Sequence, residues 1–312
     1  MIKIGAVNID TSHPLAFSDY LIQGDRARYT AVYNDGFRDD EEVQGFIGKY
    51  GLERRCLSIE ELADCTDIGF IHSCNWDEHI NQAMPFIERN KPVFIDKPIV
   101  GSPADCRRLE KLADDGAIIL GSSSVRYAEE VVGFIAQPEQ EKGVVMNIYG
   151  TAGIDEFNYA IHIVEAIDSI AGAAAVSARY IGRSIMEDSL CETFFISFAN
   201  GVTATFNTFC KAWQPFEMVV MTTATTHRFR IDTGRIYGAL LDRICDYMET
   251  GRSDLVTVRD LTHSVEIMLA ARLSRENGGT EVNLSDIPEN DPGYNGAAFE
   301  REYSAVARRL YA

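Results

Sequence analysis

Positive charge is scarce in this sequence. Its 312 residues hold 29 lysines and arginines against 47 acids, a formal net charge of −18, with no long basic run. That balance argues against nucleic acid or an anionic membrane as the main partner, since both are bound through clustered positive charge. Long apolar runs are also missing, and none approaches the roughly 18 residues of a spanning helix. A first strand that begins at residue 2 leaves no room for a signal segment, so a cytoplasmic, membrane-free protein is expected. The seven cysteines, at 56, 65, 74, 106, 191, 210 and 245, form no C-x-x-C pair and are odd in number, which reads as reduced thiols in packing roles. There is no internal repeat, no low-complexity stretch and no linker rich in proline, glycine or serine. One further absence bears on function. The opening stretch IKIGAVNIDTSH has Asn8, Asp10 and His13 where the glycines of a G-x-G-x-x-G loop would fall.

The chain is longer than a single core usually supports, so two domains are expected, 1–122 and 123–312. In the first, short apolar runs at 2–7, 29–33, 68–73, 92–95 and 117–120 alternate with amphipathic stretches at 14–23, 39–50, 58–63, 77–89 and 103–114. This β-α-β-α order predicts a doubly wound parallel sheet covered on both faces. Ser58 with Glu61 makes a capping box, Ser102 precedes Pro103 at a helix start, and Gly116 follows a last turn. Beyond residue 122 the texture changes to strand-like runs, with Asn200-Gly201 between two of them as a hairpin signal, and helical stretches at 157–172 and 237–251. An α+β domain with a mostly antiparallel open sheet, helices on one face, is predicted.

Two constellations carry chemistry. In HSCNWDEHI and VFIDKPIV, Asn75 and Lys97 follow strands whose carboxyl ends form the ligand edge of such a sheet, beside the loop 8–13. Pro98 restricts the backbone of Lys97. In FNYAIHIVEAID, helical spacing puts Asn158, Tyr159, His162 and Glu165 on one face, and histidine is suited to proton transfer near neutrality. No third and fourth ligand is spaced to make His162 and Glu165 a metal site, so none is expected.

These motifs, with the terminal SRENGGTEVNL, resemble the Gfo/Idh/MocA family of sugar and cyclitol dehydrogenases over nearly the whole chain. The resemblance implies a nicotinamide cofactor, oxidation or reduction at a hydroxyl-bearing carbon, a small polyol or sugar substrate, and homodimers or homotetramers formed through the C-terminal sheets. It matches Lys97 to the family's E-K-P lysine, with Asp96 in place of the glutamate, and His162 to the histidine that takes the hydroxyl proton. Both are expected to be catalytic. Asn158, in place of an aspartate, joins Tyr159, Arg126 and Glu165 on the substrate. The cofactor is expected against Asn8, Ile9, Thr11, Ser12, His13, Asp35, Ser73, Asn75, His79, Asp96 and Lys97. Asp35 after the second strand favours NAD, while Arg38 keeps NADP open. Thr11, Ser12 and Pro14 suit a helix start that binds anions, but a carboxylate at Asp10 would repel pyrophosphate unless it turned away. Two other readings stay open at this point: a non-catalytic sensor of the same fold, and an enzyme that keeps NAD bound for an internal redox cycle supporting elimination or isomerisation.

Overall fold

The structure, a computed structural model, describes residues 1–252 and 254–311. Its first sheet is built from β1 (Ile2–Val7), β2 (Ala27–Tyr33), β3 (Arg54–Arg55), β4 (Ile68–Ile71), β5 (Val93–Asp96) and β6 (Ile119–Ser122). The strands are parallel in the order β3-β2-β1-β4-β5-β6. Between them run α1 (His13–Leu21), α2 (Asp40–Tyr50), α3 (Ile59–Cys65), α4 (His79–Ile87) and α5 (Pro103–Asp114). Every residue of β4, β5 and β6 is buried, as expected of strands covered on both faces. The helix starts follow the sequence signals: Ser58 accepts from the Glu61 amide and Ser102 from the Asp105 amide. Strand order reverses at β1, with β2 on one side and β4 on the other. The carboxyl ends of these strands therefore open onto the crevice where such sheets bind ligands.

The second half contains α6 (Glu129–Ala136), α7 (Glu139–Lys142), β7 (Val145–Ile154), α8 (Ala160–Ala171), β8 (Ala175–Met186), β9 (Ser189–Phe198), β10 (Thr203–Cys210), β11 (Glu217–Thr222) and β12 (Thr226–Arg230). These are followed by α9 (Ile236–Thr250), α10 (Val258–Glu276), β13 (Val282–Asn283) and α11 (Gly296–Val306). Its sheet runs β12-β11-β7-β10-β9-β8-β13, antiparallel except where β7 lies parallel to β10. Asn200-Gly201 turns β9 into β10, with Gly201 at φ +86°, a conformation that favours glycine. Burial alternates along β9 and β10, so one face is covered and the other left open. On the covered face Ile163 of α8 sits over Gly150, where an added Cβ would lie 2.6 Å from its Cγ1.

Helix α10 is not foreseen by the sequence patterning. Leu261, Val265, Met268 and Leu269, but also Thr262, Ser264 and Ser274, are buried along it, so no polar stripe marks an amphipathic face. The chain also returns to its beginning. Tyr20 of α1 donates to Asp242 of α9, and the segment after α11 lies against α2, with Tyr311 packed edge-on against Phe46.

Candidate active site

The loop after β1 replaces glycine by different means. Asn8 takes φ +61°, the left-handed conformation that asparagine tolerates best among residues with a side chain. Its Oδ1 accepts from the amides of Asp35 (2.8 Å) and Gly36 (3.1 Å), and its Nδ2 donates to Ser73 Oγ (2.9 Å). One side chain thus ties together the ends of β1, β2 and β4. Asp10 is turned inward and fully buried, its Oδ2 accepting from the Cys74 amide at 3.0 Å. Burial pushes its carboxyl up to about 6. Its backbone carbonyl accepts from the Arg38 guanidinium. The inward turn takes the Asp10 carboxyl out of the cavity lining, where it would face an anion. Ser12 stands at the N-cap of α1 without making the side-chain cap that its residue type suggests, while Thr11 Oγ1 accepts from the His13 amide.

Behind the loop lies a buried polar row. Asp96, at the end of β5, accepts from Nδ1 of His13 (2.7 Å to Oδ2) and of His72 (3.0 Å), and from the Lys97 amide (2.8 Å to Oδ1). Burial alone would raise its carboxyl, but His13 and His72 hold it well below the usual carboxylate range. Burial also keeps His72 in its neutral form. With Nδ1–H given to Asp96, its Nε2 accepts from the Tyr29 hydroxyl at 2.8 Å.

Lys97 follows Asp96 through the turn made by Pro98, and its ammonium donates to Asn158 Oδ1 at 2.6 Å and to the Asn158 carbonyl at 3.3 Å. Burial lowers its pKa. Asp155 holds the far side of this group, accepting from Asn158 Nδ2 (3.2 Å) and the Tyr159 amide (3.0 Å). Helix α8 begins at Ala160, so Asn158 and Tyr159 belong to the turn before it and not to the helix face predicted for them. His162, one turn in, meets Ser123 Oγ through Nδ1 at 2.6 Å. Burial first, then the charges of Lys97 and His13, hold its pKa well below the usual histidine value. A hydroxyl can donate or accept, so Ser123 serves either tautomer of this imidazole.

A cavity of about 280 Å³ brings these groups together, lined by Thr11, Ser12, His13, Lys97, Asn158, Tyr159 and His162 among others. That is near the lower end of the roughly 300–1,000 Å³ of small-molecule pockets. Trp213 stands at its rim, and Tyr237 and Phe216 close the sides. Sequence reasoning missed Ser123, His72, Tyr29 and Tyr237. Only the Ser122–Ser124 join offered a signal, since Tyr29 lies in a strand, Tyr237 in a helix and His72 just past a strand end, and their neighbours come from distant parts of the chain.

Other predicted site residues lie elsewhere. Arg126 and Glu165 do not line the cavity: they pair with each other at 3.1 Å in the core, Arg126 also bonding Ser169 and Ser264. Burial raises the carboxyl of Glu165 despite this partner. Ile9 is wholly buried, and His79 is buried between the carbonyls of Ser73 and Ile99. Ser73 is held between Asn8 and Gln82, while Asn75 accepts from the Asp77 amide. Asp35 is exposed beyond β2. Asp10, Cys74 and Glu300 bring one metal-type ligand atom each within 4.8 Å of one another, apart from His162 and Glu165.

A dinucleotide fits this crevice unevenly. At the end of the cavity near β5, the start of α1 with Thr11 and Ser12 offers hydroxyls and the positive end of a helix, and no carboxylate faces them from the loop. On the β2 side the chain's own end lies across the sheet. Tyr311 donates to the Thr11 carbonyl (2.9 Å), Arg38 donates to the Arg308 carbonyl (2.8 Å), and the Tyr311 carbonyl sits 1.8 Å from where a Cβ on Gly45 would stand.

Comparison with known proteins agrees with this reading of the first sheet. Residues 4–122 match the profile of an oxidoreductase family, Gfo/Idh/MocA, described as an NAD-binding Rossmann fold. No curated relative matches the chain in sequence. Among solved structures, scyllo-inositol dehydrogenase from Lactobacillus casei, with bound NAD(H) and scyllo-inositol, superposes with a TM-score of 0.77 over 91% of this chain and 98% of its own, at 14% identity. GenD2 from gentamicin A biosynthesis, in complex with NAD, gives 0.75 over 90% and 96%, at 17% identity. UDP-N-acetylglucosamine 3-dehydrogenase from Acidithiobacillus ferrooxidans gives 0.70 over 88% and 97%, at 12% identity. At these identities the likeness is one of fold.

Proposed function

We propose, for a chain that belongs to the Gfo/Idh/MocA oxidoreductase family through the NAD-binding Rossmann domain of residues 4–122, that it oxidises or reduces a hydroxyl-bearing carbon of a small sugar, cyclitol or related polyol. The observation that carries this reading is the buried Lys97 ammonium, 2.6 Å from Asn158 in the same cavity as His162. Thr11, Ser12 and the start of α1 would hold the pyrophosphate of NAD(P), with Asp35 toward the ribose. When bound, the cofactor supplies the two-electron acceptor or donor.

The chain's own residues do the rest. Lys97 stabilises the negative charge that develops on the reacting oxygen, in a buried site where such stabilisation is strongest. His162 takes or returns the hydroxyl proton, and its depressed pKa keeps it neutral and ready to accept one. Asn158 holds Lys97 in place and presents its amide to substrate hydroxyls. Tyr159, Tyr237 and Phe216 wall the cavity against water. The open face of the second sheet and its edge carry exposed Val176, Ile181, Ile185 and Met186, which supports pairing of copies through that sheet.

Thermal shift with NAD⁺, NADH, NADP⁺ and NADPH in turn, followed by NADH formation with a panel of inositols and hexoses, tests the proposal. Stabilisation by the NAD pair and oxidation of at least one polyol are expected. Failure of all four nucleotides to stabilise the protein, with none retained from expression, would overturn it.

A further inference from the structure

Oxidising an alcohol calls for one acid–base group at the hydroxyl, which His162 supplies. The cavity holds a second imidazole that this reaction leaves without a task. His13 opens α1 at the end of the loop that follows β1, and its Nδ1–H is given to Asp96 at 2.7 Å to Oδ2 and 2.9 Å to Oδ1. That fixes the ring's orientation and tautomer. In the neutral ring Nε2 then carries the lone pair, and it has no protein partner among the described residues, while His13 lines the cavity. The arrangement has the parts of an activated base: an imidazole in the cavity, a buried carboxylate orienting it, and a further row, His72 and Tyr29, orienting the carboxylate. The ring is clamped by Phe17, stacked at 5.5 Å, and by Tyr237 at 5.4 Å, and its centroid lies 6.3 Å from that of His162. The groups facing it are thus Asp96 and Lys97 from β5 and its turn, His72 just after β4, His162 from α8 and Tyr237 from α9.

We propose that His13 is a catalytic base for a carbon-bound proton, and that the protein enolises a ketone in this cavity. Asp96 is its positioning residue. The inference rests on the polyol-oxidoreductase reading for its substrate class, because the ketone is the oxidised form of that polyol. His13 Nε2 takes the proton from the carbon next to the carbonyl. The C–H electron pair becomes the C=C bond of the enolate, and the carbonyl π pair moves to oxygen, where the Lys97 ammonium stabilises the charge. Return of a proton from His13 restores the ketone, so no oxidant is consumed. A redox enzyme with such a base is equipped for epimerisation or elimination next to the oxidised carbon, and simple alcohol oxidation needs neither.

The full chain is incubated in D₂O without added nucleotide with keto-inositol, with a keto-hexose, and with a keto-hexose bearing a leaving group next to the acidic carbon. Deuterium incorporation is followed by mass spectrometry and proton NMR. The wild type is expected to exchange the proton next to the carbonyl. His13→Gln should lose at least a hundredfold of this rate, Asp96→Asn ten- to a hundredfold, and His162→Gln less than tenfold. In long-range proton–nitrogen spectra of histidine-labelled protein, His13 should show Nδ1–H with an unprotonated Nε2, and Asp96→Asn should disturb this pattern while leaving His263 unchanged. Absence of wild-type exchange on every ketone, exchange surviving in His13→Gln, or an Nε2–H tautomer at His13 overturns the proposal. Exchange consumes no cofactor, so it stays readable even if no polyol is oxidised. Oxidation without exchange would sink this inference alone.

Discussion

Replacing Lys97 by methionine separates the work of this residue from its contribution to stability. The ammonium is buried, and burial lowers its pKa, so the native state binds this proton less readily than the unfolded chain does. Between the folded pKa and the unfolded value of about 10.4, the unfolded chain therefore carries more protons, and stability rises with pH in that window. Below the window the full cost of holding a buried cation is felt. Methionine removes that cost, and with it hydrogen bonds to Asn158 that, made to a charged group, are worth about 1.5–3 kcal/mol each. Asp155 is not orphaned, since it still accepts from Asn158 Nδ2 and the Tyr159 amide. The two effects oppose each other, and the net change at neutral pH should stay within about 1 kcal/mol, or a few degrees in Tm. Relative to wild type, the variant should lose ground as pH rises toward 10, because only the wild type gains there. Activity should behave differently. Loss of a positioned charge at a developing oxyanion costs roughly 10²–10³ in turnover, about 2.7–4 kcal/mol, while the affinity for NADH changes little. Urea unfolding at several pH values, with kcat and KM for an oxidised polyol, makes the comparison. Turnover within threefold of wild type would refute the role given to Lys97, and a loss of stability above about 3 kcal/mol, the range for stripping a buried charge of its partner, would refute the account of its burial.

Arg126→Met should destabilise the fold by about 3–5 kcal/mol, because it leaves the buried Glu165 carboxylate without its partner; denaturant midpoints check this, and a loss below about 1 kcal/mol would contradict the pairing. Asp10, raised to about 6 from an ordinary value near 3.9, holds its proton more tightly in the native state, so stability falls as pH rises through that interval, by roughly 3 kcal/mol in all. Asp10→Asn should flatten this fall and raise Tm at neutral pH. Tyr311→Ala removes a ring packed on Phe46 and should cost about 3 kcal/mol, yet bind NADH several-fold more tightly by clearing the β2 side of the crevice. Calorimetric titration showing unchanged or weaker binding would contradict the covering role of the chain's end.

Much of the architecture of both sheets is legible in the sequence because its signals are local. Apolar runs, Ser58 and Ser102 caps and the Asn200-Gly201 turn each act within a few residues, and the structure uses them. Lys97 and His162 could be picked out because strand ends and a helical turn bring them to one edge. What stayed hidden depends on contacts between distant segments. The loop 8–13 reads as a damaged anion site, but Asn8 supplies the left-handed turn and Asp10 is drawn inward by the Cys74 amide, 64 residues away. His13 reads as a cofactor contact, and only the approach of Asp96 turns it into an oriented imidazole. Glu165 looks like a substrate contact by spacing and Arg126 by the family resemblance, yet they face each other. Helix α10 lacks amphipathic periodicity because nearly all of its sides are buried.

The most direct test of the proposed function is NADH formation by wild type and Lys97→Met across inositols and hexoses, with cofactor affinity measured in parallel. A polyol oxidised by the wild type, and a variant that binds NADH normally but turns over at least a hundredfold more slowly, is the result this account predicts. Nicotinamide binding to neither protein, or equal turnover by both, would contradict it.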